Sequence, residues 1–114
     1  MRVKGGFVAK NRRKKVLKQT EGFTGRARNA NKIAQQALDR AMAYNFRDRK
    51  NLKREMRSLW ITRITAAARA RGLSYSKLMG ALTSQKILLN RKQLADLAMT
   101  NPKSFDQVVK SAGL

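Results

Sequence analysis

The sequence lacks the residues on which most catalytic and metal sites depend. Its 114 residues include no cysteine and no histidine, and its six carboxylates are scattered singly. These absences exclude disulfides and thiolate metal sites, and they leave neither an acid pair for general acid–base catalysis nor an oxygen cage for a metal ion. No glycine-rich phosphate loop precedes a predicted helix. The composition therefore predicts a protein that is not an enzyme and has no cofactor, no metal and no small-molecule substrate.

Long apolar runs and acidic residues are also scarce. No apolar run approaches the roughly 18 residues that a membrane-spanning helix requires. The chain carries 27 Lys and Arg against 6 Asp and Glu, a formal net charge of +21. Residues 1–57 hold 18 of the basic residues and 4 of the acids. Such a charge favours polyanionic partners, and we expect the basic start of the chain to order only against a counter-charge.

Helix signals run through the chain, and no strand of any length is apparent, so the predicted class is all-α. Residues 9–20 lack glycine and proline and form one predicted helix. Residues 22–29, GFTGRARN, contain two glycines in four positions and predict a turn. Residues 30–71 again lack both helix breakers, and they predict one long helix that ends at Gly72.

Three shorter helices are predicted after Gly72. Ser74 is a suitable N-cap for the first, and Asn90 with Gln93 has the form of a capping box for the second. Asn101 followed by Pro102 is typical of an N-cap and a first helical residue, and opens the third. These helices are expected to end near residues 83, 100 and 111, with a short apolar linker at residues 87–89.

The long helix changes character near Ser58. At about 1.5 Å per residue it would run about 60 Å, which is long for a domain of this size, so part of it is expected to project. Residues 46–57 include six Lys or Arg, whereas the next dozen are mostly apolar and include the only tryptophan. A helix that is apolar nearly all round is a buried one. We therefore predict a basic N-terminal arm (residues 1–29), a projecting basic part of the helix (30–57) and a small helical C-terminal domain (58–114).

The projecting part carries a basic stripe that its own carboxylates are not placed to neutralise. At 100° per residue, five basic side chains share a sector about 100° wide: Arg40, Arg47, Lys50, Arg54 and Arg57. Asp39, Asp48 and Glu55 have no Lys or Arg three or four residues away, and their basic neighbours are adjacent in sequence, a spacing that pairs poorly. The stripe therefore indicates an external polyanion rather than a self-neutralised solvent face.

Two basic residues outside the stripe and the aromatic residues refine this prediction. Arg49 and Lys53 lie towards the apolar side, which favours a helix enclosed by folded RNA. Phe7, Phe23, Tyr44 and Phe46 lie in the basic half, and Phe23 and Phe46 are candidates for base stacking or, alternatively, for packing against the helix. In the C-terminal part, Trp60, Tyr75 and Phe105 are expected in the core. Arg91 and Lys92 lie beside a helix N-terminus, which suggests a second phosphate site.

Two other binding classes compete with RNA. A DNA-binding architectural protein is the main alternative, but the gap from about residue 83 to residue 91 exceeds the 3–4-residue turn of a helix-turn-helix motif. A cationic helix on a membrane surface would need an uninterrupted apolar face. Arg49 and Lys53 interrupt that face, so no membrane partner is expected.

Several motifs together resemble the ribosomal protein L20 family of bacterial and organellar large subunits. They are RDRKNLKREMRSLWITRITAAARARGLSYS, LNRKQLADLA, the GFTGRARN turn and the basic start RVKGGFVAKNRRKKVLK. The resemblance implies a long basic helical extension threaded through ribosomal RNA, with a small helical C-terminal domain also seated on RNA. It further implies early binding in subunit assembly, neighbouring ribosomal proteins as partners and, in some members, repression of translation of the protein's own message.

The resemblance also implies a location and a set of contacts. The location would be the large ribosomal subunit, in the bacterial cytoplasm or in a mitochondrion or plastid. The candidate RNA-contacting residues are Arg2, Lys4, Lys10, Arg12, Arg13, Lys14, Lys15, Lys18, Arg26, Arg28, Lys32, Arg40, Arg47, Arg49, Lys50, Lys53, Arg54, Arg57, Arg63, Arg69, Tyr75, Arg91 and Lys92.

Overall fold

The computed structural model describes residues 2–114, and every regular element in that range is a helix. The elements in chain order are α1 (Val8–Gln19), a 3-10 turn (Gly25–Arg28), α2 (Asn31–Arg69), α3 (Tyr75–Ser84), α4 (Arg91–Thr100) and α5 (Pro102–Ser111). The predicted all-α class, with a long basic helix ahead of a small group of helices, is confirmed. None of the helices described is long and apolar enough to cross a membrane.

The long helix is continuous over 39 residues and ends at Arg69, two residues before the predicted end, with Gly72 in the turn that follows. Gly72 adopts a left-handed conformation with φ of 72°, which costs glycine little because it has no Cβ. The chain then turns back, and the backbone N–H of Leu73 donates to the carbonyl oxygen of Ala68 at 3.0 Å. This bond satisfies one of the carbonyl groups that a helix end leaves free.

The predicted caps of the three short helices are present. Ser74 accepts a hydrogen bond from the backbone N–H three residues ahead at 3.3 Å, and Asn101, followed by Pro102, does the same at 3.1 Å. The capping box before α4 is complete: Asn90 accepts from the backbone N–H of Gln93 and donates its own N–H to the Gln93 side chain, both at 2.9 Å. Each cap fixes the residue at which a helix begins.

The chain divides into two compact units, residues 1–50 and 51–114, and the division falls within α2. In the first unit α1 buries none of its residues. The buried side chains of this unit are Thr20, Ala34 and Leu38. The Thr20 hydroxyl lies 3.3 Å and 3.2 Å from the carbonyl oxygens of Val16 and Leu17, so its burial leaves no polar atom unpaired. The first unit thus has a small core and a largely exposed basic helix.

The second unit has a continuous core to which all four of its helices contribute. Residues spaced four apart supply it, because that spacing puts side chains on one helix face. The buried members are Ile64, Ala68, Leu78, Leu82, Leu94, Ala95, Phe105, Val109 and Ala112. Trp60 and Tyr75 are partly buried against this core, as predicted. Leu59 is still 40% exposed, so the burial that the apolar sequence predicts begins at Trp60 and is complete at Ile64.

Candidate nucleic-acid interface

The basic side chains that sequence analysis selects are almost all exposed. In the first unit every Lys and Arg is exposed, and in the second unit only Arg63, Arg71 and Arg91 are half-buried. Within residues 2–114 two ion pairs form, Arg47 with Asp48 and Arg71 with Asp106. The other basic residues have no carboxylate partner in the described chain, so most of the +21 charge faces solvent without internal compensation.

Arg47 and Asp48 correct one prediction. Adjacent residues were expected to pair poorly, but Nε of Arg47 donates to Oδ1 of Asp48 at 2.7 Å. The two side chains are long enough to meet from neighbouring positions on the exposed surface of the helix. The hydrogen bond with Arg47 lowers the pKa of Asp48, and the same bond raises the pKa of Arg47. Asp48 is therefore ionised at neutral pH, and the pair is lost only as the pH falls through that lowered pKa.

The other two acids of the basic stretch behave as predicted. Asp39 accepts a hydrogen bond from the side-chain amide of Gln35 at 3.1 Å rather than from a cation. Glu55 forms no ion pair with any residue of the described chain. One of the stripe's five cations is thus paired with an acid, and Arg54 is held only by the neutral side chain of Asn51, at 3.3 Å.

Two exposed aromatic rings in the first unit lie under cations. The guanidinium carbon of Arg47 is 4.7 Å from the Tyr44 ring centre, and the Lys50 ammonium is 4.3 Å from that of Phe46. The rings are 53% and 59% exposed. Contacts of this length are attractive because the face of an aromatic ring carries negative potential. They hold cations and rings together on the surface. Phe23, the other stacking candidate, is half-buried.

The structure separates the two basic residues at the start of α4. Arg91 donates from Nε to the Tyr75 hydroxyl at 2.9 Å and is half-buried there. Lys92 is exposed and instead lies with Arg63 along a groove of about 540 Å³ between α2 and α4. Arg91 is thus oriented by Tyr75, whereas Lys92 lines the same groove as Arg63, a residue 29 positions earlier. The second phosphate site at Arg91 and Lys92 stays a prediction.

Most of this groove was not predicted. Its lining also includes Met56, Trp60 and Asp96. Trp60 is predicted as a core residue, and it does pack against the core, but part of its surface also faces the groove. Periodicity assigns a residue to a helix face. It does not reveal which surface residues two helices bring together when about 30 residues separate them.

Within residues 2–114, no group of three or more Asp or Glu side chains is arranged to hold a metal ion. The exposed surface carries cations, amide groups and aromatic rings. Such a surface binds anions and stacks on planar groups.

Comparison with known proteins gives one consistent result. The profile of the family described as ribosomal protein L20 matches residues 2–108. The large ribosomal subunit protein bL20 of Amoebophilus asiaticus is 54% identical over 103 residues, which cover 90% of each chain. The proteins of the same name from Fusobacterium nucleatum and Mycoplasmopsis fermentans are 53% and 50% identical over 112 residues, which cover 98% of this chain and 97% of each relative. The chain therefore belongs to the ribosomal protein L20 family of the large ribosomal subunit.

Proposed function

We propose that this protein binds large-subunit ribosomal RNA directly and acts as a structural component of the bacterial ribosome. The observation that carries the proposal is a net charge of +21 with almost every Lys and Arg side chain exposed and only two ion pairs among residues 2–114. Such a surface repels itself in isolation and gains free energy when phosphates replace its counterions. Because the family is one of large-subunit ribosomal proteins, ribosomal RNA is the polyanion that we expect it to bind.

The contacts are proposed to come from both units. In the first unit they are the basic residues of α1, of the 3-10 turn and of the beginning of α2. In the second they are Lys53, Arg54 and Arg57 and, further on, Arg63, Arg69 and Lys92. Phosphate contacts of this kind position a protein on RNA, whereas contacts with bases specify the site. Phe23 and Phe46 are the proposed places for base stacking, because aromatic rings stack on unpaired bases. Tyr75 is a further proposed RNA contact.

Competition between nucleic acids tests the proposal. The full chain is titrated with fragments that span the large-subunit ribosomal RNA, each in the presence of excess duplex DNA. We expect one fragment or a few to remain bound while the others are displaced. Equal displacement of every fragment by duplex DNA would instead indicate a general condenser of nucleic acid, such as the DNA-binding architectural protein considered above.

An early role in subunit assembly and repression of the protein's own message are finer parts of the proposal. Both rest on what the resemblance to the family implies and on the exposed cationic surface. Depletion of the protein in cells should cause incomplete large-subunit precursors to accumulate. A reporter gene fused to the protein's own messenger leader should lose expression when the protein is supplied in excess. An unchanged reporter would remove autorepression and leave the structural role intact.

A further inference from the structure

The groove between α2 and α4 has an apolar floor and a polar rim that is rich in hydrogen-bond donors. Met56, Trp60 and Ala95 supply the apolar part, and Arg63 and Lys92 supply two positive charges. Its volume, about 540 Å³, lies within the roughly 300–1,000 Å³ range of sites that take small molecules. A ligand suited to this lining has an apolar surface and an anionic group.

The capping box adds two further donors to the rim. The side-chain oxygens of Asn90 and Gln93 are both occupied by backbone N–H groups. This arrangement fixes the orientation of both amides. Their NH₂ groups have no hydrogen-bond partner elsewhere in residues 2–114. Both residues line the groove, so the cap that starts α4 also offers hydrogen-bond donors to a ligand.

Asp96 is the one carboxylate on this rim. It is exposed and forms no ion pair with any residue described. A lone carboxylate repels phosphate, so a ligand held only through phosphate would be better served by a neutral residue at this position. Its presence is favourable where the ligand offers N–H groups. Guanine presents two adjacent N–H donors on its Watson–Crick edge and two acceptors, O6 and N7, on its major-groove edge.

We propose that this groove binds one unpaired guanine nucleotide of RNA. The base stacks on the Trp60 side of the floor, and its N–H edge donates to Asp96. The phosphates lie near Arg63 and Lys92. The assignment rests on the proposed function, since it presupposes that the protein binds RNA. It adds base recognition at a place where only core packing and phosphate contact were predicted. An apolar segment of a neighbouring protein is the competing occupant, but its neutral side chains would leave the two cations of the lining, Arg63 and Lys92, without a counter-charge.

Trp60 is the only tryptophan in the chain, so its fluorescence reports on the groove directly. The full chain is titrated with three single-stranded hexanucleotides, UUUGUU, UUUAUU and UUUUUU, each carrying a 5′ dye so that anisotropy measures binding independently. We expect UUUGUU to bind at least roughly fivefold more tightly than the other two, the effect of one well-placed base contact. We also expect UUUGUU to change the Trp60 emission most, since stacking on the indole requires the guanine to enter the groove.

Two variants and one control separate recognition of the base from attraction of the phosphate. Asp96→Asn is expected to abolish the preference for guanine without weakening the binding of UUUUUU. Asp39→Asn removes a carboxylate from the first unit and should keep the preference. The double variant Arg63→Gln, Lys92→Gln should weaken the binding of all three oligonucleotides by a similar factor.

Equal affinities for the three oligonucleotides, or binding seen by anisotropy with no change in Trp60 emission, would overturn the proposal. Because the ribosomal RNA competition described above is a separate measurement, the groove proposal can fail while RNA binding by the protein stands. Failure of that competition would instead overturn the proposed function on which the groove proposal rests.

Discussion

Arg71 and Asp106 form an ion pair that joins the end of the long helix to α5. Nε of Arg71 donates to Oδ1 of Asp106, and one terminal nitrogen donates to the carbonyl oxygen of Ala67 at 2.8 Å. The guanidinium also lies 4.9 Å from the ring centre of Phe105, which is fully buried. The planar guanidinium of Arg71 donates several hydrogen bonds and thereby stabilises the second unit.

Replacement of Arg71 should destabilise the fold. We expect Arg71→Ala to lower the free energy of unfolding by about 1–2 kcal/mol, since it removes charge-assisted hydrogen bonds whose value partial exposure reduces. Urea unfolding of the full chain, followed by Trp60 fluorescence, measures the change. Arg69→Ala is the matched control, because Arg69 is exposed and forms no ion pair with a residue of the described chain. Equal stability of the two variants would contradict the structural role.

Ile64 is the point at which α2 enters the core of the second unit. Its side chain is fully buried, so Ile64→Ala should cost about 2–5 kcal/mol through lost burial and the cavity that remains. Leu88, which is 94% exposed, offers a matched apolar control, and Leu88→Ala should change stability by no more than about 0.5 kcal/mol. Denaturant unfolding at one protein concentration compares them. A small effect at Ile64 would mean that α2 does not share this core.

Asn101 caps α5 through its side-chain oxygen. Asn101→Ala should destabilise the protein by about 1 kcal/mol, because the backbone N–H of Ser104 loses its partner. Asn101→Asp keeps an accepting oxygen and should therefore retain most of the stability that the alanine variant loses. Thermal unfolding monitored by circular dichroism distinguishes the two. If the aspartate variant were as unstable as the alanine variant, the cap would not be the cause.

Asp48 is predicted to weaken RNA binding by occupying Arg47. Asp48→Asn frees that guanidinium, so affinity for RNA at low salt should rise. The slope of log K against log salt should steepen by about 0.7–0.9 for one additional phosphate contact. Asp39→Asn makes the same change in net charge but releases a glutamine instead of an arginine. It should leave the slope nearly unchanged. Equal slopes for the two variants would show that only net charge matters.

Local signals in the sequence were sufficient to predict the helices. Glycine at positive φ, the capping box and the Asn101-Pro102 start each act within a few residues, and the structure has all of them. Membership of the family also confirms the expectation of a structural protein that is not an enzyme. Interactions between distant residues were not predictable in this way. The Arg71–Asp106 pair, the turn of Arg91 towards Tyr75 and the groove at Trp60 depend on how helices pack. The division into an arm, a projecting helix and a C-terminal domain remains a prediction.

The central claim is that the basic face of the long helix contacts RNA phosphates, and a charge-matched pair of variants tests it most directly. One full-length variant carries Arg40→Gln, Lys50→Gln, Arg54→Gln and Arg57→Gln. The other carries Lys77→Gln, Lys86→Gln, Lys103→Gln and Lys110→Gln, which are exposed lysines outside the candidate set. Each variant loses four positive charges, and circular dichroism establishes that both fold.

The measurement is the salt dependence of binding to the ribosomal RNA fragment that survives competition with duplex DNA. We expect the first variant to lose about 3 from the magnitude of the slope of log K against log salt, about 0.7–0.9 for each phosphate contact removed. The second variant should keep nearly the original slope. Equal losses in the two variants would contradict the account, because they would show that RNA responds to the total charge of the protein and not to this face of the helix.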